Sequence, residues 1–515
     1  MEVSKEKKQE IGRKAQSLII ASALLALFLG AMDALIMSAA MPTIVADLGG
    51  LHLYSWVYSA YFLSRAISLP VFGKMADLFN NKKIFLISIA IFLVSSFVAG
   101  LSTSMTFLII ARVFQGIGAG GNFALVYIVL ADISPVQERA KTMSIASSIW
   151  GIASVLGPTL GGFIVTYVSW RWIFFINVPL GLLCMAGLAF FLVELREKKK
   201  KVTLDLKGVI TLSTTILGIL IIFLMSGRTF AWLSPQMVAL WAVTLLSGVG
   251  FYYSEKQAPD PILPLDFFQN RGFAMGNLAV FLSSFSIFAL FAFAPLFIQG
   301  ALGKSPMQVG IAMLSLSLGW SVGSLVLGQV SNRLGIKRAA ITGALFLIVG
   351  CLLTLAFNVN TTMVACFFVF QLAGLGMGFV TLATLVVVQN SVNMEDLGVA
   401  TSSNQFARTL GGTVGVGICG GFMTSRLSGA IDTLTKKGLM NHVADSVMAG
   451  SGKSFEALLQ PEFQSQLAES ARTAIQGAIA GSVSIVFWIT LIAAFLCLVF
   501  CVLLPGTKKS EVTNG

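Results

Sequence analysis

The chain alternates between long, continuous apolar runs and short polar connections. Each run is long enough for the roughly 20 residues with which an α-helix crosses a bilayer. Strands of a membrane β-barrel alternate between apolar and polar residues over about ten positions, so this pattern excludes a barrel. The runs predict fourteen transmembrane helices, at 17–41, 53–72, 84–101, 106–130, 142–168, 172–193, 206–225, 234–253, 273–297, 307–330, 339–357, 363–388, 399–424 and 477–504.

The overall composition agrees with an all-α integral membrane protein. Of 515 residues, 56% are apolar and 11% are charged, and the mean hydropathy is +0.87. Soluble domains carry about 25% charged residues, so a water-soluble enzyme, a disordered chain and a disulfide-rich secreted module are excluded. The six cysteines all fall in apolar runs and suggest no disulfide framework. We expect no cofactor.

The basic residues indicate the orientation of the chain in the membrane. With both termini on one side, that side carries 23 Lys and Arg and the other carries eight. The positive-inside rule then places both termini in the cytoplasm and the chain, as a multi-pass protein, in the cytoplasmic membrane. Topology thus accounts for the net charge of +12, and no nucleic-acid partner is expected. His52 and His442 have no neighbours at ligand spacing, so no metal site is expected either.

An internal repeat divides the chain into two halves. The glycine and basic residues of segment 73–83 recur 255 positions later at 328–338, and the glycine triplet that begins at Gly116 recurs 258 positions later at Gly374. The predicted division is a cytoplasmic N-terminus (1–16), a six-helix bundle (17–195), a linker with two inserted helices (196–256), a second six-helix bundle (257–504) with an external loop (425–476), and a cytoplasmic tail (505–515).

Several motifs, in order along the chain, resemble those of the major facilitator superfamily and in particular its fourteen-helix drug:proton antiporter branch. These motifs are the loop 73–83, residues 108–116 of helix 4, residues 157–162 of helix 5, residues 32–44 of helix 1 and residues 169–179 before helix 6. The resemblance implies two six-helix bundles with two inserted helices. It also implies export of drugs or quaternary ammonium compounds in exchange for protons by alternating access, the export direction following from the helix 5 motif.

Two groups of residues are expected to serve the conformational change. By resemblance, the loop after helix 2 latches the bundles together, and a pliable helix 5 bends where the bundles meet; Pro158 removes one backbone donor there. The alternatives are an ordinary solvated loop and simple close packing of small residues. The residues are Gly73, Asp77, Lys82 and Lys83 in the loop, and Gly157, Pro158, Gly161 and Gly162 in helix 5.

Four charged residues lie deep in the predicted helices, where charge is costly and usually functional. They are Asp33, Arg65, Arg112 and Arg408. Asp33 is the one carboxylate among them, so it is the candidate proton carrier. Arg112 is expected to stabilise its ionised form until substrate or helix movement weakens the contact. The alternative is a permanent Asp33–Arg112 pair that only holds helices 1 and 4 together.

A central cavity between the bundles is the expected substrate site. Its candidate lining residues are polar, amphipathic or aromatic: Tyr61, Arg65, Asn122, Trp150, Phe288, Trp320, Gln405 and Arg408. One acid against three arginines favours a neutral or anionic amphiphile as substrate. The repeat maps Asp33 onto Phe288 and Arg112 onto Phe370, so proton coupling is expected in the first bundle alone.

Other functions fit the sequence less well. Residues 116–121 match a dinucleotide fingerprint, but they lie in an apolar helix without a preceding strand, so no nucleotide is expected. A membrane-embedded enzyme would need a nucleophile or a metal cluster that these spans do not supply. A dedicated exporter of one anionic metabolite or lipid remains an alternative within the same fold. The basic run 198–201 is expected to contact anionic lipid headgroups.

Overall fold

The structure is a computed structural model. It describes residues 13–133, 139–193, 205–225, 233–259, 261, 265–392, 397–436, 464–465 and 468–505. Within this part of the chain there are fourteen long helices: α1 Arg13–Leu48, α2 Tyr54–Leu78, α3 Asn81–Gly100, α4 Met105–Ile133, α5 Arg139–Tyr167, α6 Trp172–Phe191, α7 Leu206–Met225, α8 Pro235–Gln257, α9 Arg271–Leu296, α10 Pro306–Leu334, α11 Ile336–Thr354, α12 Met363–Gln389, α13 Leu397–Lys436 and α14 Glu469–Leu503.

These helices confirm the predicted all-α membrane fold. Eleven of the fourteen are long and apolar enough to cross a membrane when only the described residues are considered. The other three are α2, α5 and α13, and each lies where the two halves of the molecule meet.

Short polar residues set several helix starts. Asn80 accepts a hydrogen bond from the backbone N–H of Lys83 and caps α3. Ser234 caps α8 directly before Pro235, and Thr362 caps α12. Such caps satisfy backbone donors that the first turn of a helix leaves unpaired, which matters most where the chain enters hydrocarbon.

The helices pack in a pattern that repeats between the two halves. In the first half, α2 packs on α4 and α1 packs on α5 and α6; in the second, α10 packs on α12 and α9 packs on α13 and α14. The glycine triplets of α4 and α12 make equivalent helix contacts in the two halves. Gly116 faces α2 and Gly118 faces α3, while their counterparts Gly374 and Gly376 face α10 and α11. The internal repeat of the sequence is therefore a repeat of helix contacts.

Two seams join the halves, one between α5 and α10 and one between α2 and α13. At the first, a Cβ on Gly310 would lie 2.6 Å from the carbonyl oxygen of Pro158 and 3.3 Å from the Cα of Gly162. At the second, a Cβ on Gly420 would overlap the hydroxyl of Ser55. The first seam is thus a backbone-to-backbone approach, and the second places the backbone of Gly420 against the short side chain of Ser55; small residues permit both.

The halves are held together at the end of the molecule where α1 finishes. The hydroxyl of Tyr54 donates a hydrogen bond to the carbonyl of Ala292 on α9, and the amide of Gln299 donates to the hydroxyl of Thr43, at 3.2 Å. At the opposite end of α2, Gly73 has open space around its Cβ position. The described contacts therefore close one end of the space between the halves.

The inserted helices cover one of the two seams. Helix α7 packs against both α2 and α13, and α8 packs on the outer side of α7. The contact is an apolar cluster of Leu212, Ile216 and Leu220 from α7, Leu63 and Ile67 from α2, and Phe406 and Leu410 from α13. Helix α8 exposes large apolar side chains, among them Leu245, Leu246 and Tyr253.

The predicted external loop is shorter than the sequence suggests. Helix α13 continues to Lys436 rather than ending at 424, and α14 begins at Glu469 rather than at 477. Hydropathy marks where a helix leaves hydrocarbon, whereas its backbone hydrogen bonds can continue into water. Residues 437–463 lie outside the described part of the chain. Gln464 is buried and donates a hydrogen bond to the carbonyl of Gly300, at 2.8 Å.

Replacing Gly374 with Ala tests the close approach of α12 and α10. The new Cβ would lie 2.0 Å from the carbonyl oxygen of Leu316, so we expect overpacking to cost about 1–3 kcal/mol. Gly481→Ala is the control, since Gly481 is exposed with open space around it. Thermal unfolding of the purified protein in detergent should show a lower midpoint for Gly374→Ala alone. Equal midpoints for the two variants would contradict the packing described.

Candidate functional site

Asp33 on α1 and Arg112 on α4 form a salt bridge inside the first half. The Arg112 Nη1 and Asp33 Oδ2 atoms are 2.7 Å apart, and the two side chains are 1% and 0% exposed. Breaking such a pair from one side leaves an uncompensated buried charge, which is strongly unfavourable. The two residues that the sequence singles out for proton coupling are therefore in direct contact.

Three neutral polar side chains complete this site. Gln115 donates from Nε2 to Asp33 Oδ1 at 2.8 Å, and Asn177 donates from Nδ2 to the same oxygen at 3.2 Å. Both amides also donate to the hydroxyl oxygen of Ser96, at 3.1 and 3.0 Å. The carboxylate of Asp33 thus accepts hydrogen bonds from α4 and α6 as well as an ionic contact.

Tyr61 belongs to the same site. The Arg112 guanidinium lies over its ring, with Cζ 3.9 Å from the ring centroid, and its hydroxyl donates to the carbonyl of Gly30 at 3.2 Å. The ring supplies a cation–π contact in a buried position, where such contacts are strongest. Helix α2, which also forms a seam with the second half, is in this way connected to the ion pair.

The network contains a second acceptor for Arg112. Gln115 Oε1 accepts a hydrogen bond from Arg112 Nη1 at 2.9 Å, while the other end of the same amide holds Asp33. If Asp33 gains a proton, it no longer balances the Arg112 charge, and Gln115 and the Tyr61 ring remain as partners. The arrangement therefore suits a carboxylate that changes its protonation state without leaving the arginine unsupported.

Sequence reasoning found the charged pair and missed its polar partners. Gln115, Asn177 and Ser96 lie within predicted spans, and Gln115 and Asn177 fall in motifs that carry the family resemblance. The missed signal is physical: an amide in an apolar span must find hydrogen-bond partners. Gln115 lies one turn after Arg112 on α4, so both side chains face α1.

Arg65 and Arg408 lie on the sides of α2 and α13 that face away from α7. Arg65 lies midway between Leu63 and Ile67, which face α7, and at 100° per residue it points to the opposite side of α2. Arg408 lies midway between Phe406 and Leu410 and is placed in the same way on α13. Each lies in the middle part of its helix, away from the closed end.

A series of aromatic contacts links the first half of the molecule to the second. The rings of Phe62 and Phe288 meet edge to face with centroids 5.1 Å apart, and Phe288 meets Trp320 in the same way at 6.2 Å. The Arg408 guanidinium lies over the Trp320 ring at 5.8 Å, and that of Arg65 lies over the Phe123 ring at 5.0 Å. The structure thus brings three predicted cavity residues into contact, Phe288, Trp320 and Arg408, while Arg65 lies against Phe123 of α4.

Other predicted residues lie elsewhere. Asn122 is a correction: it is buried between α3 and α4, where its amide oxygen accepts a hydrogen bond from Ser88 at 2.8 Å, so it does not line the space between the halves. Gln405 is half-buried on α13, one turn before Arg408. The side chains of Trp150 and Asp77 lie outside what the structure describes, although their helices are described.

The predicted gating residues of α5 contact two different helices. Gly157 and Gly161 face α1, while the Pro158 carbonyl and Gly162 face α10 across the seam.

In the loop after α2, Gly73 is half-buried beside open space. Lys82 and Lys83 follow the cap of α3, and Lys83 is exposed.

Comparisons with known proteins agree with this fold. Residues 23–416 match the model of the Major Facilitator Superfamily. The chain is 36% identical over 426 residues to the multidrug transporter protein MdtP of Bacillus subtilis (strain 168), which covers 83% of this chain and 78% of that protein. It is 29% identical over 495 residues to multidrug resistance protein 3 of the same organism, covering 96% of each.

Solved structures share the fold at low sequence identity. A bacterial homologue of the human lysosomal transporter Spinster, inward-facing and occupied, has a TM-score of 0.68 at 14% identity, covering 95% of this chain and 97% of that one. A D-xylose-proton symporter has a TM-score of 0.58 at 15% identity, covering 95% and 98%. By class, then, the protein is a multi-pass membrane transporter. It belongs to the major facilitator superfamily, which confirms the family that the motifs indicate.

A pair of variants tests whether Asp33 and Arg112 depend on each other. Asp33→Leu leaves the buried guanidinium without its counter-ion and should destabilise the protein by about 3–5 kcal/mol. Asp33→Leu combined with Arg112→Leu removes both charges and should recover most of that loss. Thermal unfolding in detergent measures both. A double variant as unstable as Asp33→Leu alone would show that the pair is not coupled.

Proposed function

We propose that this protein exports small amphiphilic compounds across the cytoplasmic membrane in exchange for protons, by alternating access. The observation that carries the proposal is the buried Asp33–Arg112 pair with its amide partners. The names of the two bacterial relatives, a multidrug transporter and a multidrug resistance protein, support drugs as the cargo.

The two glycine-rich seams support alternating access. Helices that meet through Gly162 and Gly310 can slide or rock without first separating interlocked side chains. With both termini in the cytoplasm, as the basic residues predict, the end closed by Tyr54 and Gln299 is the external one. Two changes would then accompany opening to the outside: α5 bends at Pro158, and the loop after α2 makes contacts. The residues of that loop concerned are Gly73, Asp77, Lys82 and Lys83.

Asp33 is the proton carrier in this proposal. In the outward-open state it takes up one proton, and an O–H bond forms on the carboxylate while Arg112 keeps its hydrogen bond to Gln115. In the inward-open state Asp33 releases that proton to the cytoplasm and regains its contact with Arg112. Tyr61 connects this change to α2 and hence to the seam with the second half.

A second candidate function is dedicated export of one anionic metabolite or lipid. The balance of deep charges, one acid against three arginines, favours this candidate over export of cations. It uses the same proton site and the same motions, so it differs in cargo alone. A substrate screen separates the two candidates: a multidrug exporter accepts many unrelated amphiphiles, whereas a dedicated exporter accepts one.

The variant Asp33→Asn tests proton coupling. It keeps the size of the side chain and an oxygen that accepts a hydrogen bond from Arg112, but it removes the negative charge and cannot carry a proton. In proteoliposomes with an imposed pH gradient, we expect gradient-driven dye transport to be lost. Asp47→Asn is the matched control, since Asp47 is a half-exposed carboxylate that pairs with Arg171 at 3.1 Å. Normal gradient-driven transport by Asp33→Asn would refute the assignment.

A screen of dyes by charge tests the preference for substrates. The wild-type protein in the same liposomes should transport neutral and anionic dyes faster than cationic ones, because the spans hold one deep acid against three deep arginines. Transport of ethidium-like cations in preference to all neutral and anionic compounds would overturn the expected preference. The same assay reports the direction of transport.

A further inference from the structure

A groove lies between the two inserted helices, α7 and α8, on the outer side of the molecule. Its volume is about 530 Å³, within the range of about 300–1,000 Å³ that is usual for ligand pockets. Leu245 and Val249 in its wall are 63% and 54% exposed, so the groove opens outward rather than toward the two halves. It is therefore separate from the ion pair and from the space between the halves.

The two threonine hydroxyls in the wall of the groove are bonded within their own helices. The hydroxyl of Thr215 donates to the carbonyl of Thr211 at 2.8 Å, and that of Thr244 donates to the carbonyl of Leu240 at 2.7 Å. A hydroxyl that bonds the preceding turn in this way needs no partner in a ligand. The middle of the groove thus suits a hydrocarbon chain better than a polar solute.

The length of the groove matches one leaflet of a bilayer. It extends along α8 from Trp241 to Tyr252 and Tyr253. Trp241 and Tyr252 are eleven positions apart, which is about 16 Å at about 1.5 Å per residue. One leaflet contributes half of a hydrocarbon core of about 30 Å. The tyrosines lie near the end of α8, and tyrosine is enriched where hydrocarbon meets headgroups. An acyl chain in the groove would therefore have its headgroup beside them.

A positive charge lies at the tyrosine end of the groove. Lys256 is exposed, and its Nζ atom is 4.7 Å from the centroid of the Tyr252 ring. Glu255 is buried instead, and a Cβ on Gly208 of α7 would lie 3.0 Å from its Oε1 atom, so this acid faces α7. The positive-inside rule predicts that this end of α8 is cytoplasmic, where the membrane surface carries anionic lipids. The exposed charge at this end thus matches an anionic headgroup.

We propose that the groove between α7 and α8 binds one anionic phospholipid of the cytoplasmic leaflet, with an acyl chain along Leu245 and Val249 and its phosphate beside Lys256. The cation–π contact with Tyr252 holds the ammonium group at the mouth of the groove. This lipid is a ligand of the inserted helices and is not the cargo, so the inference depends neither on proton coupling nor on export. It uses the orientation that the basic residues predict.

Quenching of tryptophan fluorescence by brominated lipids tests the site, because Trp241 lies in the groove. The protein is placed in phosphatidylcholine nanodiscs that contain a small fraction of dibrominated phosphatidylglycerol or, in a parallel sample, of dibrominated phosphatidylcholine. The chain has eight tryptophans, so the signal of Trp241 is taken as the difference between the wild type and Trp241→Phe. At the same mole fraction, brominated phosphatidylglycerol should quench Trp241 more strongly than brominated phosphatidylcholine.

Substitution of Lys256 tests the headgroup contact. Lys256→Gln should lower the preference for phosphatidylglycerol about fivefold, the effect of one basic residue near an anionic surface, and Lys256→Arg should retain it. Arg338→Gln is the matched control, since Arg338 is an exposed cation at the start of α11 on the same predicted side of the membrane. It should leave the preference unchanged. Equal quenching by the two lipids in the wild type, or an equal loss in Arg338→Gln, would overturn the proposal.

Filling the groove tests the contact with the acyl chain. A Cβ on Gly248 would lie 3.6 Å from Cγ2 of Thr215, an ordinary contact, so in Gly248→Leu the helices can stay packed while the rest of the new side chain enters the groove. Both brominated lipids should then quench Trp241 less. Leu246→Phe is the control, because Leu246 is exposed on α8 outside the groove. Unchanged quenching in Gly248→Leu would contradict an acyl chain in the groove. Absence of quenching in the wild type would mean that a second copy or another protein covers it.

Discussion

The cost of placing charge in hydrocarbon governs this structure. Asp33 and Arg112 are fully buried, so each must be balanced by the other or by hydrogen bonds. That requirement brings α1, α4 and α6 to one point and recruits Gln115, Asn177 and Ser96 from three different helices. A site that binds its carboxylate through several donors is stable when Asp33 is ionised. When Asp33 is neutral, Gln115 and the Tyr61 ring remain as the partners of Arg112.

The repeat of the chain gives the protein two copies of one contact scheme and two different chemistries. Glycines hold equivalent positions in both halves, so the helices approach each other in the same way. The charged residues do not repeat: Phe288 and Phe370 occupy the second-half positions of Asp33 and Arg112. The first half therefore holds the ion pair and the second half contributes aromatic surface. Shared geometry keeps the halves able to rock together, and unequal chemistry lets each perform a separate task.

Much of this architecture could be predicted from the sequence because lipid imposes simple rules. Apolar runs gave helices α7 and α12 to within a residue at each end, and the rarity of buried charge identified Asp33 and Arg112. The neutral polar partners of the ion pair were harder to predict, since Gln115 and Asn122 are both amides within an apolar span and yet face different helices. The ends of α13 and α14 were also missed, because hydropathy does not register helix that extends beyond the membrane.

Helix α7 touches both halves, through Leu63 on one side and Phe406 on the other. In the proposed alternating-access cycle, α7 cannot stay fixed to both halves while they rock, so each turnover would shear α7 across at least one of these faces. The described contact cluster consists of leucine, isoleucine and phenylalanine side chains, whose contacts are weak individually and have no preferred direction. Such a surface slides at little energetic cost, so in that cycle the inserted pair would cover one seam without preventing the motion.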